Sequence, residues 1–111
     1  MAKAKKIEVE GKEYILAFPN RKDAENAERL GFCLNLMETQ PLIQMDKLFH
    51  SALLAKQPRI TAEMAIDIRE KYQEEGGDIG DINSFLIEQY MGFFKFQNGK
   101  KKTKKAETIE I

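Results

Sequence analysis

Asp46 and His50 stand four residues apart, the spacing at which two side chains meet on one face of a helix. A carboxylate beside an imidazole can orient a general base or begin a metal site. Either chemistry needs convergent partners, and the chain has no second histidine. The spacing therefore reads as a solvent-side Asp–His pair. Cys33 is the sole cysteine, so no internal disulfide can form. A reactive thiolate needs an electropositive setting; Phe32 and Leu34 on either side predict a buried thiol acting as a small hydrophobe. The stretch GGDIGD at 76–81 invites comparison with calcium loops, which place oxygen ligands at alternate positions and an acid at the twelfth. Counted from Asp78, those positions fall on Gly80, Ile82 and Gln89, so the match fails. No Gly-Lys-Ser/Thr follows the glycines, which removes a phosphate loop as well. The sequence carries no catalytic signature and calls for no cofactor or metal.

A second kind of chemistry lies at 89–105, QYMGFFKFQNGKKKTKK, where an aromatic cluster runs into five lysines. Over the whole chain 18 basic and 18 acidic residues cancel, so no global field draws it to nucleic acid. The lysines at 100–105 can neutralise phosphates, but Arg21, Arg29, Arg59 and Arg69 are scattered among acids and no basic reading helix is evident. A membrane-surface helix would need basic residues flanking its apolar face, and the last helical segment offers only Lys95. No apolar run approaches the length of a bilayer span, and no secretory leader follows the first lysines. Protein recognition is left as the best use of an aromatic- and Met-rich patch.

The elements that must position this patch follow from periodicity. At 111 residues one domain is expected, over 6–96, after a frayed start at 1–5 and before a flexible lysine-rich tail at 97–111. KIEVEGKEYILAF reads as a β-hairpin with a Gly11-Lys12 type II′ loop. That register sets Val9 against Tyr14, Ile7 against Leu16 and Glu10 against Glu13, with the apolar set and Phe18 on one face. Asn20 caps a helix whose inner stripe is Ala24, Ala27 and Leu30, and Gly31 ends it. Residues 32–40 fit a strand or a short helical turn. Pro41 opens a helix over 41–56 with an inner stripe of Leu42, Met45, Leu48, Phe49, Ala52 and Leu53. Thr61 caps the next, over 62–75, with Met64, Ala65, Ile68 and Tyr72 inward and the ladder Asp67–Lys71–Glu75 outward. The fold class is α+β, mainly α: an N-terminal hairpin packed on about four helices.

The last helix is expected over 82–96, capped by Asp81. Ile82, Phe85, Leu86, Tyr90 and Phe93 form one broad apolar face, and Ile87, Met91 and Phe94 a second stripe beside it. A helix so widely apolar is either central in its domain or docked on a partner. Ile87, Tyr90, Met91, Phe94 and Phe96 are the candidate partner-binding residues.

The order of parts (the hairpin IEVEGKEYILAF, a small-residue helix ending in ERLG, the helices PLIQMDKLFHSALLAK, TAEMAIDIREKYQEEGG and DINSFLIEQYMGFF, and a lysine-rich end) resembles the tail assembly chaperones of long-tailed bacteriophages and prophages of Gram-positive hosts. The resemblance covers residues 6–96 and rests on element order and apolar positions, without a diagnostic motif. It implies a non-enzymatic protein of the host bacterial cytoplasm that binds the aggregation-prone tape measure protein and keeps it soluble until tail-tube subunits polymerise around it. A longer, frameshifted form would recruit tail tube protein, and self-association is compatible with the family. The competing class is a small phage regulatory or nucleic-acid-associated protein that uses the lysine run.

Overall fold

The structure, a computed structural model, describes residues 3–93. The expected flexible tail at 97–111, and Phe94 and Phe96, lie outside the described residues. Two strands, β1 (Ala4–Val9) and β2 (Lys12–Ala17), form an antiparallel hairpin. Four α-helices follow: α1 (Arg21–Arg29), α2 (Pro41–Leu54), α3 (Ala62–Glu74) and α4 (Ile79–Met91). A single 3-10 turn, Leu34–Leu36, resolves the ambiguous stretch before α2. The α+β, mainly helical class is thus the observed one.

The hairpin turns one residue earlier than its sequence suggests. Glu10 and Gly11 occupy the corner with φ of 52° and 78°, the signature of a type I′ turn, which matches strand twist. Glu10 is a poor residue for positive φ. The end of α3 holds it there: a Glu75 carboxylate oxygen accepts from its N–H at 3.1 Å, and Lys71 Nζ reaches its carboxylate at 3.2 Å. Pairing is displaced by two residues, so Ile7 faces Tyr14, Val9 faces Lys12 and Glu8, not Glu10, opposes Glu13. An even displacement leaves every side chain on its expected face. Ile7, Val9, Leu16 and Phe18 are accordingly buried. The strand also starts inside the stretch expected to fray, where Lys5 bridges Asp81 at 3.0 Å and lies over the Phe85 ring.

At the start of α1 the Asp23 carboxylate accepts from the Asn20 N–H at 3.1 Å, as a first-turn acid should. Its end closes as a Schellman motif: Gly31 at φ 103° lets the Phe32 N–H reach the Ala27 carbonyl at 2.9 Å. α3 is capped by Thr61, whose hydroxyl accepts from the Met64 N–H. α4 begins earlier than expected because Asp78, not Asp81, is its cap. The Asp78 carboxylate accepts from the Asp81 N–H at 3.0 Å, drawing Ile79 and Gly80 into the first turn.

α2 is the central helix. It packs against β2, α1, α3 and α4, and its Leu48, Phe49, Ala52 and Leu53 are fully enclosed. Each such side chain larger than alanine stabilises the fold by about 1.5–3 kcal/mol. α4 flanks it, contributing Ile82, Phe85, Leu86 and Tyr90 to the same cluster. Two expected members of the inner stripes are on the outside instead: Leu42 is 76% and Met64 47% exposed. Polar residues take interior places. Gln44 is buried because its amide accepts from the Cys33 N–H at 2.7 Å, tying the loop after α1 to α2.

Candidate partner-docking surface

The expected docking residues divide. Tyr90 is a core residue, 6% exposed. Its hydroxyl donates to Glu28 at 2.6 Å and its ring meets Phe32 edge-on at 4.9 Å. Burial, then the hydrogen bond and the charge of Glu28, raise its pKa well above the ordinary tyrosine value. A large aromatic whose polar tip finds a partner on a neighbouring helix is better buried than presented. Ile87 and Met91 are half-buried and pack against the core, as does Phe93. Tyr90 and Phe93, with Arg21, Ala24 and Glu28, line a small depression of about 140 Å³ between α1 and the end of α4.

Exposed large apolar side chains lie on other helices: Leu42 and Ile43 at the start of α2, Met64 and Ile66 at the start of α3, and Leu36 before α2. Ile43 (53% exposed) and Ile66 (38% exposed) both line a groove of about 220 Å³. Leu30, Asp46, Lys47, His50 and Ala62 complete its lining. Periodicity did not single these residues out: it set Leu42 at the start of the inner stripe and gave Ile43 no role. The signal was an excess: α2 has more apolar positions than one inward face accommodates.

The groove's polar groups are already engaged. Lys47 Nζ donates to the Leu30 carbonyl at 3.2 Å, capping the end of α1. His50 is buried, not solvent-side, and its Nε2 lies 2.8 Å from the Ile60 carbonyl, so that nitrogen carries the hydrogen. Asp46 turns away from His50 to Arg69, whose Nε lies 3.4 Å from its carboxylate. Arg69 is buried over the Phe49 ring, and its Nη1 has no hydrogen-bond partner among the described residues. Burial raises the pKa of Asp46 and lowers that of Arg69, and in each case the partner's charge opposes the shift. Asp46 and His50 are thus fastening groups, aimed at different targets, that close the α2–α3 interface beneath the groove. Cys33 is exposed, against expectation, because the Schellman turn brings Phe32 inward and the next residue outward.

Among the described residues no three His, Cys, Asp or Glu side chains converge to hold a metal, and no helix is long and apolar enough to cross a membrane. What the geometry offers is a shallow apolar groove whose polar lining groups are engaged within the fold.

The sequence model of one protein family, described as Domain of unknown function (DUF5055), matches residues 1–109. No curated protein and no solved structure matches the chain.

Proposed function

We propose, from the premise that the chain belongs to the DUF5055 family, that it is a non-enzymatic tail assembly chaperone. It holds a phage tape measure protein soluble in the host bacterial cytoplasm, and a longer form would engage tail tube protein. The resemblance in element order motivates the client. The observation that carries a docking role is the exposed apolar groove between α2 and α3, with Ile43 and Ile66 as its walls and Leu42 beside it.

A tape measure protein is a long helical chain with exposed apolar stripes, and a two-helix groove is the complement of one such stripe. The energetics favour a transient grip. Fully burying each of three aliphatic anchors contributes about 1.5–3 kcal/mol. Association costs of about 4–15 kcal/mol offset most or all of that. One groove therefore binds weakly, and many copies along one client hold it while leaving each site easy to vacate when tube subunits arrive.

The test is co-expression of the tape measure protein with this chain or with its Ile43→Asp/Ile66→Asp variant. The wild type should keep the client in the soluble fraction, and the variant should leave it in the pellet. Both positions are exposed, so circular dichroism of the variant should match the wild type. A variant that solubilises the client as well as the wild type would reject the groove as the docking site.

A further inference from the structure

The hairpin has two edges, and the fold closes only one. On β2, the Gln57 side chain takes both outward backbone groups of Ile15. Since Ile15 pairs with Lys6, this fixes the alternation of the ladder: Lys6 and Glu8 turn their own N–H and C=O groups away from β2. Among the described residues no hydrogen bond engages those groups, and both residues are exposed. An edge strand with a free row of donors and acceptors is a template for strand addition.

The geometry points to a second copy of this chain as the occupant, joined antiparallel through β1 about a two-fold axis at Ile7. The charge order of the strand selects that register. A hydrogen-bonded pairing must match outward residues with outward residues, and Ala4, Lys6 and Glu8 are outward. The axis could therefore fall at Lys5, Lys6, Ile7 or Glu8. At Lys5 it sets Ala4 against Lys6 and gains no charge pair. An axis at Lys6 sets lysine against lysine, and an axis at Glu8 sets glutamate against glutamate; like charges directly opposed are destabilising. An axis at Ile7 sets each Lys6 against the Glu8 of the other copy, twice. The longer-range charges agree, because Lys3, Lys5 and Lys6 occupy one end of the strand region and Glu8 and Glu10 the other. The product is a four-stranded sheet, which relieves the marginal stability of a lone hairpin. This surface shares no residue with the α2–α3 groove and does not depend on the client proposed for it.

Sedimentation of the full chain from micromolar to millimolar concentration tests this. The wild type should show a reversible monomer–dimer equilibrium. Lys6→Glu and Glu8→Lys, each alone, should raise its dissociation constant at least about tenfold. An equimolar mixture of the two variants should restore association, since every opposed pair is then of opposite charge. Should either single variant fail to fold, Lys6→Gln or Glu8→Gln, each of which removes one charge from both opposed pairs, should weaken the dimer in its place. A wild type that stays monomeric throughout, including one whose β1 edge instead takes a strand from a client, would overturn the proposal. So would a dimer indifferent to both single substitutions.

Discussion

Gln57 grips the backbone of Ile15 at both ends of one residue. Its Oε1 accepts from the Ile15 N–H at 2.7 Å and its Nε2 donates to the Ile15 carbonyl at 3.0 Å. A side-chain amide here does the work of a neighbouring strand, and it belongs to the connector after α2, so it fastens the hairpin to the helical layer. The same Nε2 lies 2.6 Å from the Leu53 carbonyl, which places the amide at a junction of strand and helix.

Gln57→Ala should therefore lower the unfolding free energy by about 2 kcal/mol, the loss of two or three partly buried hydrogen bonds at about 0.5–1.5 kcal/mol each. Urea denaturation checks this. A shift below about 0.5 kcal/mol would mean that water replaces the amide at no cost.

Asp46 and Arg69 should behave as a coupled pair. Asp46→Ala leaves a buried guanidinium without its counter-charge and should cost about 2–4 kcal/mol, since breaking a buried pair strands the surviving charge. Asp46→Leu/Arg69→Met removes both charges and should be much less harmful than either single change. Additive effects of the two substitutions, measured by denaturation, would show that the pair contributes nothing jointly.

Tyr90 gives a pH dependence whose sign is fixed. Its folded-state pKa is raised above the ordinary tyrosine value of about 10. The stability it contributes is thus present below that unfolded value and is lost as pH rises toward the folded one. From about pH 9 to about pH 11 the wild type should lose stability more steeply than Tyr90→Phe. At neutral pH the variant should be less stable through loss of the Glu28 hydrogen bond. Parallel stability profiles for the two proteins would contradict the assignment of Tyr90 to the core.

The element order and the faces of the hairpin were legible because periods of two and 3.6 are written in the apolar residues. The turn register was not, since Glu10 sits at positive φ only because Lys71 and Glu75, more than sixty residues away, hold it. The place of Tyr90 was not legible for a related reason. Tyr90 looks like a surplus aromatic until Glu28 and Phe32 are brought to it from α1 and the loop beyond. Conversely, Leu42 looks interior until Gln44 takes a buried place for the sake of the Cys33 backbone. Long-range polar contacts decided each case, and local patterning does not record them.

The central claim is that the α2–α3 groove receives an apolar helix face of the tape measure protein. The direct measurement is amide chemical-shift mapping of the labelled chain titrated with a helical tape measure segment. The account predicts shifts centred on Ile43, Lys47, His50 and Ile66. Shifts confined to Ile87, Met91 and Phe93, or none at millimolar segment, would contradict it.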